Sequence, residues 1–165
     1  MREAIGGTWI MGIVIVFVVL FSGFLAYSIS YTKAFNVKNE IINYIEYREG
    51  FTEAESVESV SDTDLDALVD SGYVNAKAYR YILRSGYNKE TASNESVKCP
   101  DGGEKKPGGY CLKKICTTGD KNSNSYYKVT TFIALNIPLI GYTASIPISG
   151  ETRTIYEVKD SIGCD

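Results

Sequence analysis

The pattern of hydrophobic and polar positions divides this chain into unlike halves. From Ala4 to Thr32 there are 29 residues without a charge, more than the roughly 20 that an α-helix needs to cross a hydrocarbon core about 30 Å thick. About a dozen strongly apolar side chains, Ile10, Ile13 to Leu20, Phe21, Phe24, Leu25 and Ile29, favour insertion by about 4 to 8 kcal/mol in total at roughly 0.3 to 0.6 kcal/mol each. A cleaved secretory signal has an apolar region of only about 7–15 residues behind a basic leader. Here the leader Met1-Arg2-Glu3 is nearly neutral, so the pattern predicts a retained transmembrane helix.

Helical periodicity continues past Thr32. No proline or glycine occurs before Gly50, and Phe35, Ile41, Ile42 and Ile45 recur at spacings that place them on one face. One helix over residues 8–48 is therefore expected, apolar all round in its first half and carrying a single apolar stripe in its second. Residues 1–7 form a short tail or leader, and Gly50 is read as the stop.

Residues 49–97 read as an acidic connector with two short helices. Eight acids and no base lie between Glu49 and Asp70. The first short helix is capped at Ser61 or Asp62. Asp62, Asp64 and Asp66 have the spacing that opens a calcium loop, but Ala67 and Tyr73 stand where such a loop needs glycine and glutamate. Acids in a first helical turn suit the helix dipole, which explains them without a metal. Gly72 and Gly86, in a repeated Ser-Gly-Tyr unit, read as left-handed residues closing the two helices. Asn75 is read as the cap of the second, with Ala78, Tyr79, Ile82 and Leu83 inward.

Residues 98–165 read as a disulfide-bearing antiparallel sheet. "CPDGGEKKPGGYC" is a loop, with its glycine pairs supplying flexibility. The lysine-rich stretch from Lys98 to Lys121 is a solvated face or a contact for the acidic connector. "YCLKKICT", "YYKVTTFIALNI" and "YTASIPIS" alternate as strands, and Pro147 marks an edge or a bulge. Gly150-Glu151 is read as a hairpin turn into a further strand, "TRTIYEV". A sheet of three or four strands with one apolar face, and a helix with one apolar stripe, cover each other most economically. The expected class is α+β, with the long N-terminal helix packed on a small antiparallel sheet.

Composition narrows the chemistry. A net charge of −3 argues against nucleic acid as a partner, because phosphate binding needs clustered positive charge. The chain contains no histidine, which removes the commonest general base and metal ligand. No nucleophile elbow, phosphate loop or dinucleotide motif is present. The expectation is a non-enzyme without metal or cofactor. Cys99, Cys111, Cys116 and Cys164 lack the paired spacing of a zinc site and read as two disulfides, with three connectivities open. Lys33, Lys38 and Arg48 follow the apolar run, and a strict positive-inside count would place them in the cytoplasm. The cysteines call for an oxidising compartment, and large domains cross largely regardless of charge. The expected location is the cell membrane, single-pass, with the C-terminal domain extracytoplasmic. The thirteen tyrosines fit half-buried sheet and interface positions, and Tyr27 and Tyr31 fit a membrane-interface belt.

The stretches "REAIGGTWIMGIVIVFVVLFSGFLAY", "TKAFNVKNEIINYIE" and "IPISGETRTIYEV" carry a resemblance to type IV pilin-like proteins. Among these the layout is most similar to the single-span, TadE-like minor pilins or pseudopilins of bacterial Tad-type pilus systems. The resemblance implies peptidase cleavage after Gly7, with Thr8 as first residue and Gly12 as fifth. The family's glutamate at that fifth position is absent, which favours a minor or accessory subunit. It also implies that the helix packs against other pilin-like subunits or pilus assembly proteins, with Gly12 and Gly23 permitting close approach. The alternative expectation is a membrane-anchored binding or adhesion module outside any pilus.

Overall fold

A computed structural model describes residues 2–55, 57–87, 98–117, 124–137 and 142–156. The leading helix, α1 (Arg2–Arg48), begins six residues before the expected start. Gly6 and Gly7 lower helix propensity by about 1 kcal/mol each, but no proline interrupts the hydrogen-bond ladder. At the far end the left-handed residue is Glu49, at φ 56°. Gly50 follows it and donates its N–H to Ile45 O at 3.1 Å, the longer bond of a Schellman closure.

The buried stripe of α1 is Ala34, Val37, Ile41 and Ile45, all fully enclosed. Ile42 packs at its margin. Phe35, expected inside, is 37 % exposed, because the stripe centres on the Val37–Ile41–Ile45 line and position 35 falls outside it. There it stacks on Tyr31 with ring centroids 6.0 Å apart.

Two short helices follow, α2 (Asp62–Asp70) and α3 (Val74–Ser85). Ser61 caps α2, its hydroxyl accepting the Asp64 N–H at 3.4 Å and donating to the Asp64 carboxylate at 2.8 Å. Gly72 and Gly86 adopt φ of 88° and 64° as the sequence suggested. Asn75 does not cap α3. Tyr73 holds that position without a side-chain bond, and Asn75 is buried one step inside the helix. Leu83 is 45 % exposed, while Ala78, Tyr79 and Ile82 are buried.

The sheet contains β1 (Glu104–Lys106), β2 (Tyr110–Cys116), β3 (Ser125–Ile137) and β4 (Tyr142–Glu151), antiparallel and in sequence order. Strand β1 lies where a loop was expected. Lys106-Pro107-Gly108-Gly109 turns it back onto β2, with Gly109 N–H donating to Lys106 O at 3.1 Å and Gly108 at φ 92°, the pattern of a type II turn. The glycines there are fixed in place: a Cβ on Gly108 would lie 2.7 Å from Ile82 of α3. Of the expected strand at "TRTIYEV", the described residues, which end at Tyr156, form a single bridge between Ile155 and Ser125. Gly150-Glu151 makes no turn and continues β4, pairing with Val129 and Lys128. Gly150 is needed for a different reason, since a Cβ would lie 3.0 Å from Ile42 and from Lys38 of α1. Pro147 sits on the edge strand β4, as read.

One face of the sheet presents Tyr110, Leu112, Tyr127, Val129 and Ile133 to the α1 stripe, with Val74, Ala78 and Ile82 of α3 completing the core. On the other face Phe132 is covered by the Cys99–Cys111 disulfide. Cys116 is also disulfide-bonded, and Cys164 lies outside the described residues. The Cys99–Cys111 bridge closes a short loop that contributes little other apolar cover. Chain-entropy arguments give about 3 kcal/mol for a loop of this length. The double variant Cys99→Ala/Cys111→Ala is expected to lose about that much stability, read by urea unfolding of the full chain in mild detergent.

Candidate functional site: the uncovered helix and its junction with the head

Among the described residues, the largest uncovered apolar surface is the first half of α1. Trp9, Ile10, Met11 and residues through Leu25 are mostly half-exposed or more, and the helix is long and apolar enough to cross a membrane, near the N-terminus. Length and composition of this kind are common to anchors and signal sequences. Three of its hydroxyls bond back within the helix. Ser22 donates to Val18 O at 2.8 Å, Ser28 to Phe24 O at 2.9 Å and Thr32 to Ser28 O at 2.8 Å. Such back-bonding lowers the cost of placing these three hydroxyls in an apolar surrounding.

Gly7, Gly12 and Gly23 have open space where a Cβ would stand, and Thr8 lies in the same helix. Gly12, Gly23, Ala34 and Ile45 recur every eleven residues, three turns with a drift of about 20°. The two glycines therefore continue the line that, further along, faces the core of the head. An open notch over Gly12 is lined by Trp9, Ile13 and Val16. Position was legible in the sequence, but the alignment of the glycines with the core stripe emerges only once that stripe is known.

Flanking this line, Tyr27 and Tyr31 have ring centroids 6.3 Å apart, Tyr31 continues the stack to Phe35, and Lys38 Nζ lies 4.3 Å from the Phe35 centroid. Cation and ring attract each other through the ring quadrupole.

Several contacts fix the head on α1. Thr131 Oγ1 donates to Ala34 O at 2.9 Å, and Lys33 Nζ donates to Gly86 O at 3.4 Å. Arg153 N–H donates to the Glu46 carboxylate at 2.8 Å. Lys77 Nζ stands 4.5 Å from the Tyr44 centroid. The uncovered half and the head are thus joined through one continuous helix.

Titratable groups in the head are arranged for structure. Lys106 is buried between Glu53 and Glu104, bonding the latter at 2.6 Å. Burial pulls its pKa down, but the two carboxylates outweigh that and hold the ammonium above its ordinary range. The same turn donates Gly108 N–H to Glu58 at 3.4 Å, so the lysine-rich stretch does contact the acidic connector. Burial raises the hydroxyl of Tyr110 well above the usual tyrosine range, with Glu53 adding to the effect. Neither group is poised as a nucleophile or base near pH 7. Cys99 and Cys111 come together; Gly12 and Gly23 share a face without touching anything.

Comparison with protein-family models, with curated proteins and with solved structures finds no match to this chain.

Proposed function

We propose that this protein is a non-enzymatic single-pass membrane subunit, with its α+β head on the oxidising side, that works by packing its helix against other subunits in the manner of a minor pilin or pseudopilin of a Tad-type system. The observation that carries the reading is the alignment of Gly12 and Gly23 with the core stripe of α1. A partner helix seated on the glycines meets a backbone-deep surface whose direction is set by the head above it. A bare anchor needs no such register. The Cys99–Cys111 disulfide supports the placement of the head.

The reading is tested by crosslinking the full chain in its native membrane and identifying the products by mass spectrometry. Gly23→Leu is expected to lower the yield of crosslinked complexes about tenfold, in line with a loss of roughly 1–2 kcal/mol of close helix packing. Val14→Leu, on the opposite face of the helix, is expected to leave it unchanged. Equal yields from both variants would reduce the helix to an anchor and favour the tethered binding module.

A further inference from the structure

The aromatic side chains of α1 are not spread evenly round the helix. Phe17, Phe21, Phe24, Tyr27, Tyr31 and Phe35 follow one another at intervals of three or four residues, 18 residues in five steps, which is the repeat of about 3.6 residues of the helix itself. At about 100° per residue all six fall within a sector of about 120°. One ring is therefore presented on every turn for five turns. Phe17 and Phe21 stack with centroids 6.3 Å apart and planes 11° from parallel. The Tyr27–Tyr31–Phe35 stack continues the ladder up to Lys38, whose ammonium lies over the Phe35 ring.

This ladder is neither the core stripe nor the glycine line. The enclosed stripe of Ala34, Val37, Ile41 and Ile45 and the pair Gly12 and Gly23 lie roughly 100–110° further round the helix. The head stands to that side and leaves the rings open, between 36 % and 66 % exposed. Lipid accounts for the open rings inside the charge-free run, but Phe35 follows Lys33 and lies outside that run. An apolar face that continues from the apolar half into the charged half is suited to a partner that follows the helix across both.

A second copy of this chain meets that description. With α1 read as a membrane span, on which this inference rests, every copy crosses in the same direction with Lys33 at the same level, so two ladders meet ring for ring without axial offset. Lys33 lies on the far side of the helix and bonds Gly86 of the head; between Glu3 and Lys38 the sector carries no charge, and Lys38 is itself buried. The face thus has no exposed charge along the ladder to repel its own image. Six rings about half exposed, of the roughly 150–250 Å² that each can bury, offer about 450–750 Å² per copy, close to the roughly 800 Å² per partner of a standard interface. Leu20, exposed in the same sector, adds to it. Rings attract one another in offset or edge-to-face contact, which counts in lipid, where apolar area by itself does not drive helices together.

We propose that the aromatic ladder from Phe17 to Phe35 is a self-association face, on which a second copy packs in parallel to form a two-fold dimer with both heads directed away from the seam. Such a contact is isologous and leaves the glycine line free for a different subunit.

Photocrosslinking of the purified full chain in phosphatidylcholine–phosphatidylglycerol vesicles tests the face. The photoreactive residue p-benzoylphenylalanine takes the place of Phe24, Tyr31 or Ile15 in separate preparations, Ile15 lying on the opposite side of the helix. Covalent dimer is expected from positions 24 and 31, and about tenfold less from position 15. Phe21→Ala/Phe24→Ala is expected to lower the yield from position 31 about tenfold, and Gly23→Leu to leave it unchanged. Monomer from every position overturns the proposal, as does equal dimer from 15 and 24. Loss of dimer with Gly23→Leu but not with the alanine pair also overturns it, by moving the self-contact to the glycine line. Alkaline extraction of the same vesicles separates the levels of the argument. A chain released into the supernatant is not a span, and the ladder contact fails with that reading; a chain retained but monomeric loses the ladder contact alone. A dimer that forms here, with native complexes indifferent to Gly23→Leu, upholds the ladder and overturns the glycine-line assembly.

Discussion

Replacing Asn75 with leucine is expected to destabilise the head by roughly 2–4 kcal/mol, from about 1–3 kcal/mol for each buried polar group left unpaired. Asn75 is 3 % exposed. Its carboxamide oxygen accepts the Ala54 N–H and its amide donates to Ala54 O, each at 2.9 Å. Val74 and Asn75 N–H groups donate in turn to Thr52 O at 3.1 and 3.3 Å. The connector thus supplies the start of α3 with the acceptors that a capping side chain would otherwise provide. Leucine leaves both polar groups of Ala54 without partners and loosens Glu53, which bonds Lys106. Asn75→Asp keeps the acceptor and loses the donor, so an intermediate loss is expected. Urea unfolding of the full chain in detergent gives the ranking, and amide exchange at Ala54 should rise before that of the sheet. A leucine variant as stable as the parent would show that the connector is held by other contacts.

Tyr87→Phe is expected to cost a similar amount, roughly 2–4 kcal/mol by the same reasoning, through a different defect. If β2 continued in register past Cys111–Thr130, Gly109 would face Phe132. The two backbones part there, and the Tyr87 hydroxyl fills the gap, accepting Phe132 N–H at 2.8 Å and donating to Gly109 O at 3.1 Å. Burial pushes this hydroxyl up to about 12, against the opposing influence of the Phe132 bond. A folded-state pKa above the unfolded value of about 10 stabilises fully below pH 10, and the contribution is lost as pH rises through 12. Two pH units correspond to roughly 2–3 kcal/mol. The urea midpoint of the parent should fall between pH 10 and 12, and the phenylalanine variant, already weaker at pH 7, should fall less over that interval.

These two residues show what a sequence reading can and cannot reach. Periodicity located α1, the Ser61 cap, the closing glycines at 72 and 86 and the three longer strands, because each depends on neighbours a few positions away. The single bridge at Ile155, the roles of Asn75 and Tyr87 and the fixed Gly108 depend on partners 20 to 45 residues distant. Asparagine three residues after a turn glycine is as good a cap candidate as any until the connector's carbonyl is seen to do that work. The glycine pairs read as flexibility because nothing local reveals Ile82 packing against Gly108. On the candidate surface, Gly12 and Gly23 stand out through the helix packing that the resemblance implies, and their common direction comes from the buried residues of the same helix.

The Thr131–Ala34 hydrogen bond joins residues 97 apart in sequence, whereas the sheet assembles from strands consecutive along the chain. Synthesis from the N-terminus therefore delivers α1 long before anything that can cover it. The Ala34–Ile45 stripe stays open until most of the chain has emerged, and transiently exposed apolar surface of this kind invites aggregation. Each sheet hairpin closes a short loop, while docking onto the helix closes one of about a hundred residues. The short-range hairpins are thus expected to close before the sheet docks on the helix, and the interval before docking is when the Ala34–Ile45 stripe is most open to aggregation.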